Sequence, residues 1–281
     1  MTDASAQPQA PAKTSDLRTR VISALVMAPP VLAAVWWGGI PFLLVLALAG
    51  FISLQEWTRL VAPQGHRRAF VVLFAGFAAT AAVLALAISI EAGAEALAVG
   101  MLITALVSKI LGAAHKRFAL LALPYVAGGC LALGWLRVAT GEDGLGLFLF
   151  VLLVIWATDI GAYFSGKTIG GPKLLPRVSP KKTWAGLIGG MIAAALVGSG
   201  VALVFGAAQP AIAALVGALT AVVGQAGDLL ESYAKRRSDV KDSGSLIPGH
   251  GGLLDRIDGL LSAAIAVALF HAFFGESLAW W

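Results

Sequence analysis

Residues 184–206 read WAGLIGGMIAAALVGSGVALVFG, without one ionisable side chain. A run of roughly 20 apolar residues is enough for a helix to cross the hydrocarbon core of a bilayer. Residues 145–164, LGLFLFVLLVIWATDIGAYF, repeat the pattern with a single acid, Asp159. Working outward, comparable runs fall at about 21–38, 41–61, 69–90, 95–113, 118–138, 210–230 and 253–275. The chain therefore reads as an all-α polytopic integral membrane protein with about nine transmembrane helices. Run length and the polar breaks between runs carry this reading, not periodicity.

Composition agrees. Of 281 residues, 59% are hydrophobic and 12% charged, against roughly 25% charged in a soluble domain. Mean hydropathy is +0.87. An ordinary soluble domain, a disordered chain and a coiled coil are excluded. The single cysteine, Cys130, lies in an apolar run, so it offers neither an internal disulfide nor a cysteine-based zinc site and reads as a small buried hydrophobe. Residues 1–16, rich in Ala, Gln, Pro and Ser, read as a disordered tail. No small-residue cleavage site follows the first apolar run, which is taken as a first span and not a signal peptide. Residues 17–138 then hold transmembrane helices 1–5. Residues 139–281 hold helices 6–9, with cytoplasmic loops at 165–183 and 231–252, as a catalytic part. Pro29 and Pro30 are expected to kink or interrupt the first span. Gly186 and Gly190 are spaced for close helix contact.

Charge orients the chain. The tail and the loops or turns at 62–68, 109–117, 165–183 and 231–252 carry 17 of the 20 Lys and Arg residues. The alternate set, around 39–40, 91–94, 139–144, 207–209 and 276–281, carries none, and holds Glu91, Glu142, Asp143 and Glu276. Positive loops stay cytoplasmic, so the N-terminus is expected inside and the C-terminus outside. This alternation accounts for the net charge of +5 without nucleic acid.

Ionisable groups in or at the ends of membrane helices are costly and point to function. Asp159 lies inside the sixth span. Gly161 to Thr168 matches the G-x-x-x-x-G-K-T pattern of a phosphate-binding loop, but it follows an apolar run instead of a strand and holds Tyr163 and Phe164, so that reading is rejected. The 165–183 loop carries Lys167, Lys173, Arg177, Lys181 and Lys182 and no acid. Positive-inside bias alone produces such a loop, yet its density also suits a polyphosphate. Thr183 is placed to cap the seventh span. Asp228, Glu231 and Ser232 share one helix face by their spacing, as do Asp255 and Asp258. Carboxylates so gathered repel one another, and oxygen-only ligands suit Mg²⁺ or Mn²⁺. His250, in a glycine-rich turn, is open to three roles: base, phosphate contact or loop hydrogen-bonder. Hard carboxylates, many cations and glycine loops at one membrane face suit phosphoryl or nucleotidyl transfer to a lipid that enters sideways from the bilayer.

The stretch Ser232-Tyr233-Ala234-Lys235-Arg236, Lys241-Asp242 and Pro248-Gly249-His250-Gly251-Gly252-Leu253-Leu254-Asp255-Arg256-Ile257-Asp258 closely resembles the motif of the phosphatidate cytidylyltransferases, or CDP-diacylglycerol synthases. Asp159 to Gly166, Ser179-Pro180-Lys181-Lys182-Thr183-Trp184 and Gly227 to Ser232 look like the same family, with weaker echoes at Glu56-Trp57 and near Arg20. Ala234 and Ala185 depart from the family pattern, and the second puts a catalytic role for its position in doubt. The resemblance implies that CTP and phosphatidic acid give CDP-diacylglycerol and pyrophosphate. It implies Asp228, Asp255, Asp258, His250 and Arg256 as catalytic residues. Asp228 and Asp255 would be metal ligands, supported by Asp258 and Asp159, with Mg²⁺ or Mn²⁺ and a K⁺ as second ion. Lys167, Lys181, Lys182, Lys235, Arg236, Lys241 and Arg256 would hold phosphates, alongside Ser179, Thr183, Ser232, Asp242, Gly251 and Gly252. Membrane lipids would surround a multi-pass protein of a bacterial inner membrane whose active site faces the cytoplasm, and a homodimer is plausible from the small-residue faces. Two alternatives remain at this level: a nucleotide-dependent polyprenol or lipid kinase, and a cation-coupled transporter with carboxylates at the midplane.

Overall fold

The apolar runs fold as helices, because a chain in hydrocarbon must satisfy its backbone N–H and C=O groups internally. The computed structural model describes residues 13–61, 65, 67, 69–71, 73, 74, 77, 90–110, 121–240, 242–246 and 251–281. In chain order these hold α1 (Lys13–Trp37), α2 (Gly39–Val61) and α3 (Ile90–Ile110). A π-helical turn (Leu123–Ala127) runs into α4 (Gly128–Val138), and a 3-10 turn (Gly141–Asp143) leads into α5 (Gly144–Thr168). Strands β1 (Lys173–Leu175) and β2 (Ser179–Thr183) precede α6 (Trp184–Val204), α7 (Pro210–Arg237) and α8 (Leu254–Leu278).

Among the described residues five stretches are long and apolar enough to cross a bilayer: Gly39–Val61, Gly141–Thr168, Trp184–Val204, Pro210–Arg237 and Leu254–Leu278. Leu25–Trp37, Leu97–Leu106 and Leu123–Val138 are shorter apolar helices within the expected first, fourth and fifth spans. The expected span at 69–90 lies largely outside the described residues. So do residues 1–12, but α1 already begins at Lys13, inside the stretch expected to be a disordered tail. Extending an existing helix adds one hydrogen bond per residue fixed, so the first helix propagates beyond its apolar run. It also continues through Pro29 and Pro30 without the expected interruption. Two prolines remove only two N–H donors, and the ladder on either side persists.

The helices α5, α6, α7 and α8 pack in series, and α4 lies against α8. Phe150, Val154, Ala194, Ala213, Ala221, Leu261 and Ala264 are fully buried between them. Ile188, Ile192, Leu196 and Leu203 leave an apolar side of α6 exposed, as a lipid-facing helix requires. The expected Gly186–Gly190 contact is present. A Cβ on Gly190 would lie 2.9 Å from the Thr158 carbonyl oxygen, and one on Gly186 3.1 Å from that of Ala162. Backbones of α5 and α6 therefore touch. Gly224 of α7 and Gly259 of α8 meet in the same way. Cys130 is buried and unpaired, as its apolar setting implied.

Arg137, in the last turn of α4, donates from Nε to the Val35 carbonyl at 2.7 Å and from Nη2 to that of Trp36 at 2.8 Å. It satisfies carbonyls that the end of α1 leaves without intrahelical partners.

The segment expected as the 165–183 loop is more ordered than a loop and adds a β element to the all-α expectation. Helix α5 runs on to Thr168, and β1 and β2 form an antiparallel hairpin with Lys173 opposite Thr183 and Leu175 opposite Ser179. Gly170 and Gly171 stand at φ +68° and +87°, which a Cβ would resist, and let the chain reverse after α5. Pro180 lacks an N–H but tolerates a two-stranded ribbon that is all edge. The expected 231–252 loop also begins later, because α7 continues to Arg237. Lys235, Arg236 and Arg237 fill its last turn, where cations favour the negative end of the helix dipole.

Replacing Gly190 by Val forces α5 and α6 apart. The variant is expected to lose about 1–3 kcal/mol of stability, the usual penalty of overpacking, read as a lowered unfolding midpoint in detergent.

Candidate active site

Gly227 lets α7 and α8 approach closely: a Cβ there would meet the Ser262 side chain and lie 3.1 Å from the Asp258 carbonyl oxygen. Asp228 and Asp258 therefore sit where two backbones nearly touch. Lys182, reaching from β2, places Nζ 2.5 Å from Asp228 Oδ2, and Ser232 donates to Asp228 Oδ1 at 3.1 Å. One turn further along α7, Lys235 bridges two acids. Its Nζ is 2.7 Å from Glu231 Oε2 and 2.8 Å from Asp255 Oδ1. The Glu231 side chain is fully buried and that of Asp255 is 6% exposed. Burial makes the pairing in this bridge a strong electrostatic demand.

Asp255 accepts further hydrogen bonds from the backbone N–H of Ser243, at 3.1 and 3.0 Å to its two oxygens, and of Gly252 at 2.9 Å. With Lys235 these occupy about as many acceptor positions as a carboxylate offers, roughly four. Gly251, at φ +85°, brings the chain over this carboxylate. Asp258 Oδ1 accepts from Gly259 N at 2.7 Å.

A cavity of about 780 Å³ opens onto these groups. Asp159, Asp228, Lys235, Asp255, Arg256 and Asp258 line it together with Leu32, Phe42, Leu46, Cys130 and Trp156. The site thus combines ionisable groups with an apolar lining drawn from α1, α2, α4 and α5.

The structure brings together most of the acids and two of the lysines named from sequence. Asp159, Asp228, Asp255, Asp258, Arg256 and Lys235 share the cavity, and Lys182 and Ser232 contact Asp228. Thr183 is the cap that was expected, its hydroxyl accepting from Gly186 N at 3.0 Å at the start of α6. Lys167 stands apart, its ammonium 3.4 Å from the Tyr163 hydroxyl and over that ring. Arg236 points to the hairpin, with Nε 3.5 Å from the Val178 carbonyl. Ser179 and Lys181 lie on β2, Lys181 exposed. Asp242 is exposed beside Gly251, and Gly252 is buried. Lys241 and His250 lie outside the described residues.

Three contributors were given no role in the site from sequence. Glu231 shares the Asp228 face by spacing, and only its burial reveals it as a partner of Lys235. Tyr125, in the π-helical turn, donates to the Asp258 carbonyl at 2.8 Å and packs against Trp57, ring centroids 5.6 Å apart. Nothing in the sequence around Tyr125 signals this. Glu56, on α2, accepts from the loop and helix that carry Asp255.

The donor set fits a hard divalent cation in chemistry. Asp159, Asp228, Glu231, Asp255 and Asp258 face Lys182, Lys235 and Arg256, so five acids against three bases leave two negative charges when all are ionised. Glu231 Oε1 is buried without a hydrogen-bond partner. Among the described residues no three acidic, histidine or cysteine side chains already converge as metal ligands; the lysines supply the counter-charge.

Comparison with known proteins gives this arrangement its class. The sequence model of the Cytidylyltransferase family matches residues 18–274, and the chain belongs to that family. A phosphatidate cytidylyltransferase of Brucella suis biovar 1 is 40% identical over 270 residues, covering 93% of this chain and 96% of that protein. One of Pseudomonas aeruginosa is 37% identical over 262 residues, covering 88% and 94%. One of Bacillus subtilis is 47% identical over 121 residues, covering 43% and 45%. The kinase and transporter alternatives find no support among these relatives.

Replacing Lys235 by Met leaves Glu231 and Asp255 without their shared counter-charge. The variant is expected to lose about 3 kcal/mol or more, measured by equilibrium unfolding in detergent.

Proposed function

We propose that this chain transfers the cytidylyl group of CTP to phosphatidic acid, giving CDP-diacylglycerol and pyrophosphate. The observation that carries the reading is the family match across 18–274 together with the Asp228–Lys182 and Asp255–Lys235–Glu231 pairs beside a partly apolar cavity. The phosphates of a nucleotide triphosphate suit Lys182, Arg256 and the exposed Lys181, and acyl chains suit the apolar lining.

In the proposed reaction, a phosphate oxygen of the lipid bonds to the α-phosphorus of CTP. The bond from that phosphorus to the α–β bridging oxygen breaks, and its electron pair leaves with pyrophosphate. The acceptor is already anionic, so no strong general base is required, and His250 is assigned to phosphate contact or loop organisation. Lys182, Lys181 and Arg256 orient phosphate oxygens and offset their charge. Lys235 holds Asp255 in place. Asp228 and Asp258, with Asp159 lining the same cavity, would hold Mg²⁺ or Mn²⁺, and Asp255, held by Lys235, Ser243 and Gly252, would support them. A K⁺ is proposed as second ion. When bound, the divalent ion neutralises phosphate charge and steadies the leaving pyrophosphate. Nine spans, a cytoplasmic N-terminus, an outer C-terminus and a site facing the cytoplasm of a bacterial inner membrane complete the proposal, as does pairing into a homodimer through small-residue faces.

The test supplies CTP labelled in the cytosine ring to the detergent-purified protein with phosphatidic acid and Mg²⁺. Lipid-borne label and released pyrophosphate are expected. Release of CDP with phosphorylated lipid would overturn the reading. EDTA is expected to stop turnover and excess Mg²⁺ to restore it. Asp228→Asn is expected to reduce turnover at least about a hundredfold, the scale of losing a group that stabilises transition-state charge.

A further inference from the structure

Glu56 lies on α2, far from the acids in sequence, yet its buried carboxylate (3% exposed) takes part in the same junction. Its Oε1 accepts from Leu253 N at 3.0 Å, and its Oε2 accepts from Leu254 N at 2.8 Å and from Ser243 Oγ at 3.1 Å. These donors belong to the segment before α8 and to the first residues of the helix itself. Helix α8 has no side-chain cap of its own at Leu253. Its leading N–H groups would otherwise be orphans in a largely dry setting. A carboxylate there gains both charge-assisted hydrogen bonds and the favourable end of the helix dipole.

Ser243 extends the link. Its hydroxyl donates to Glu56 while its backbone N–H donates to Asp255. The chain is packed so closely that a Cβ on Gly244 would fall 2.5 Å from Glu56 Oε1, and one on Gly252 2.7 Å from Oε2. Both glycines allow the backbone to close on this one carboxylate. Asp255 and Asp258 follow within the first turns of the helix that Glu56 caps.

We infer that Glu56 is a positioning residue for the transfer reaction: capping α8 from α2, it sets where Asp255 and Asp258 stand relative to α7. The inference rests on the proposed cytidylyl transfer. The three groups around Glu56 are all donors, so a glutamine must turn its NH₂ toward an N–H or hydroxyl and loses at least one bond. The first turn of α8 then shifts, and misplacement of about 1 Å lowers turnover by up to about a hundredfold. Substrate phosphates held by β2 cations remain bound.

The test compares kcat and KM for CTP in purified full-length protein. Wild type must first convert CTP and phosphatidic acid; failure there sinks the function, not the role of Glu56. Glu56→Gln is expected to lower kcat at least about tenfold with KM within about threefold, and Glu56→Asp to recover part of the loss. Gly244→Ala, which keeps the charge but displaces it, is expected to act like Glu56→Gln and serves if the latter does not fold. Leu54→Ala, in the buried core of α2, controls for stability: its unfolding midpoint falls while kcat per folded molecule stays within about twofold. If kcat of the folded Glu56 and Gly244 variants also stays within twofold of wild type, Glu56 is structural only and the inference is overturned.

Discussion

A charge removed from water must be paired, and at the junction of α7 and α8 that pairing falls to Lys235. Its ammonium lies between Glu231 and Asp255, each within hydrogen-bond distance. Without it, two nearly buried carboxylates would face each other across adjoining helices. The bridge therefore does more than add stability. It fixes the rotation of α7 against α8 and keeps Asp255 turned toward the loop whose backbone also grips it. Asp228 is treated differently. Its side chain is 36% exposed, and Lys182 reaches it from the hairpin, so it stays open to the cavity. One acid is locked and the other accessible.

This electrostatic junction depends on close helix packing. Gly224, Gly227 and Gly259 let α7 and α8 approach until backbone meets backbone, and Gly186 and Gly190 do the same for α5 and α6. Apolar contact with lipid cannot by itself drive helices together in a bilayer, so small residues and interhelical hydrogen bonds carry the association. Tyr125 and Glu56 add polar ties from the N-terminal helices to α8. The N-terminal helices thus buttress α8 as well as contributing apolar lining to the cavity.

Membrane-length helices were legible because a bilayer imposes a length and a polarity on any segment that crosses it. Run length alone located α2, α5, α6 and α8, and the start of α7, to within a few residues. The acids on α7 and α8 were legible because helical spacing places Asp228 with Glu231 and Asp255 with Asp258. Thr183 was legible as a cap from its position before an apolar run. The hairpin was not, since Ser179 to Thr183 pairs with Lys173 to Leu175 through backbone groups, and its lysine-rich composition reads as a solvated loop. The reach of α7 to Arg237 was hidden for a related reason: a helix can outrun its apolar stretch when its last turn is cationic.

The amino-acid order by itself determined that this chain crosses a membrane repeatedly, which residues carry charge at the helix ends and which family its motifs resemble. Those properties are local or additive along the chain. Tertiary structure alone decided that Lys235 serves two acids while Lys182 serves a third, that Lys167 and Arg236 turn elsewhere, and that Glu56 and Tyr125 brace α8. Such partnerships depend on the distance between side chains separated by up to almost two hundred positions, and only the packing of helices sets that distance.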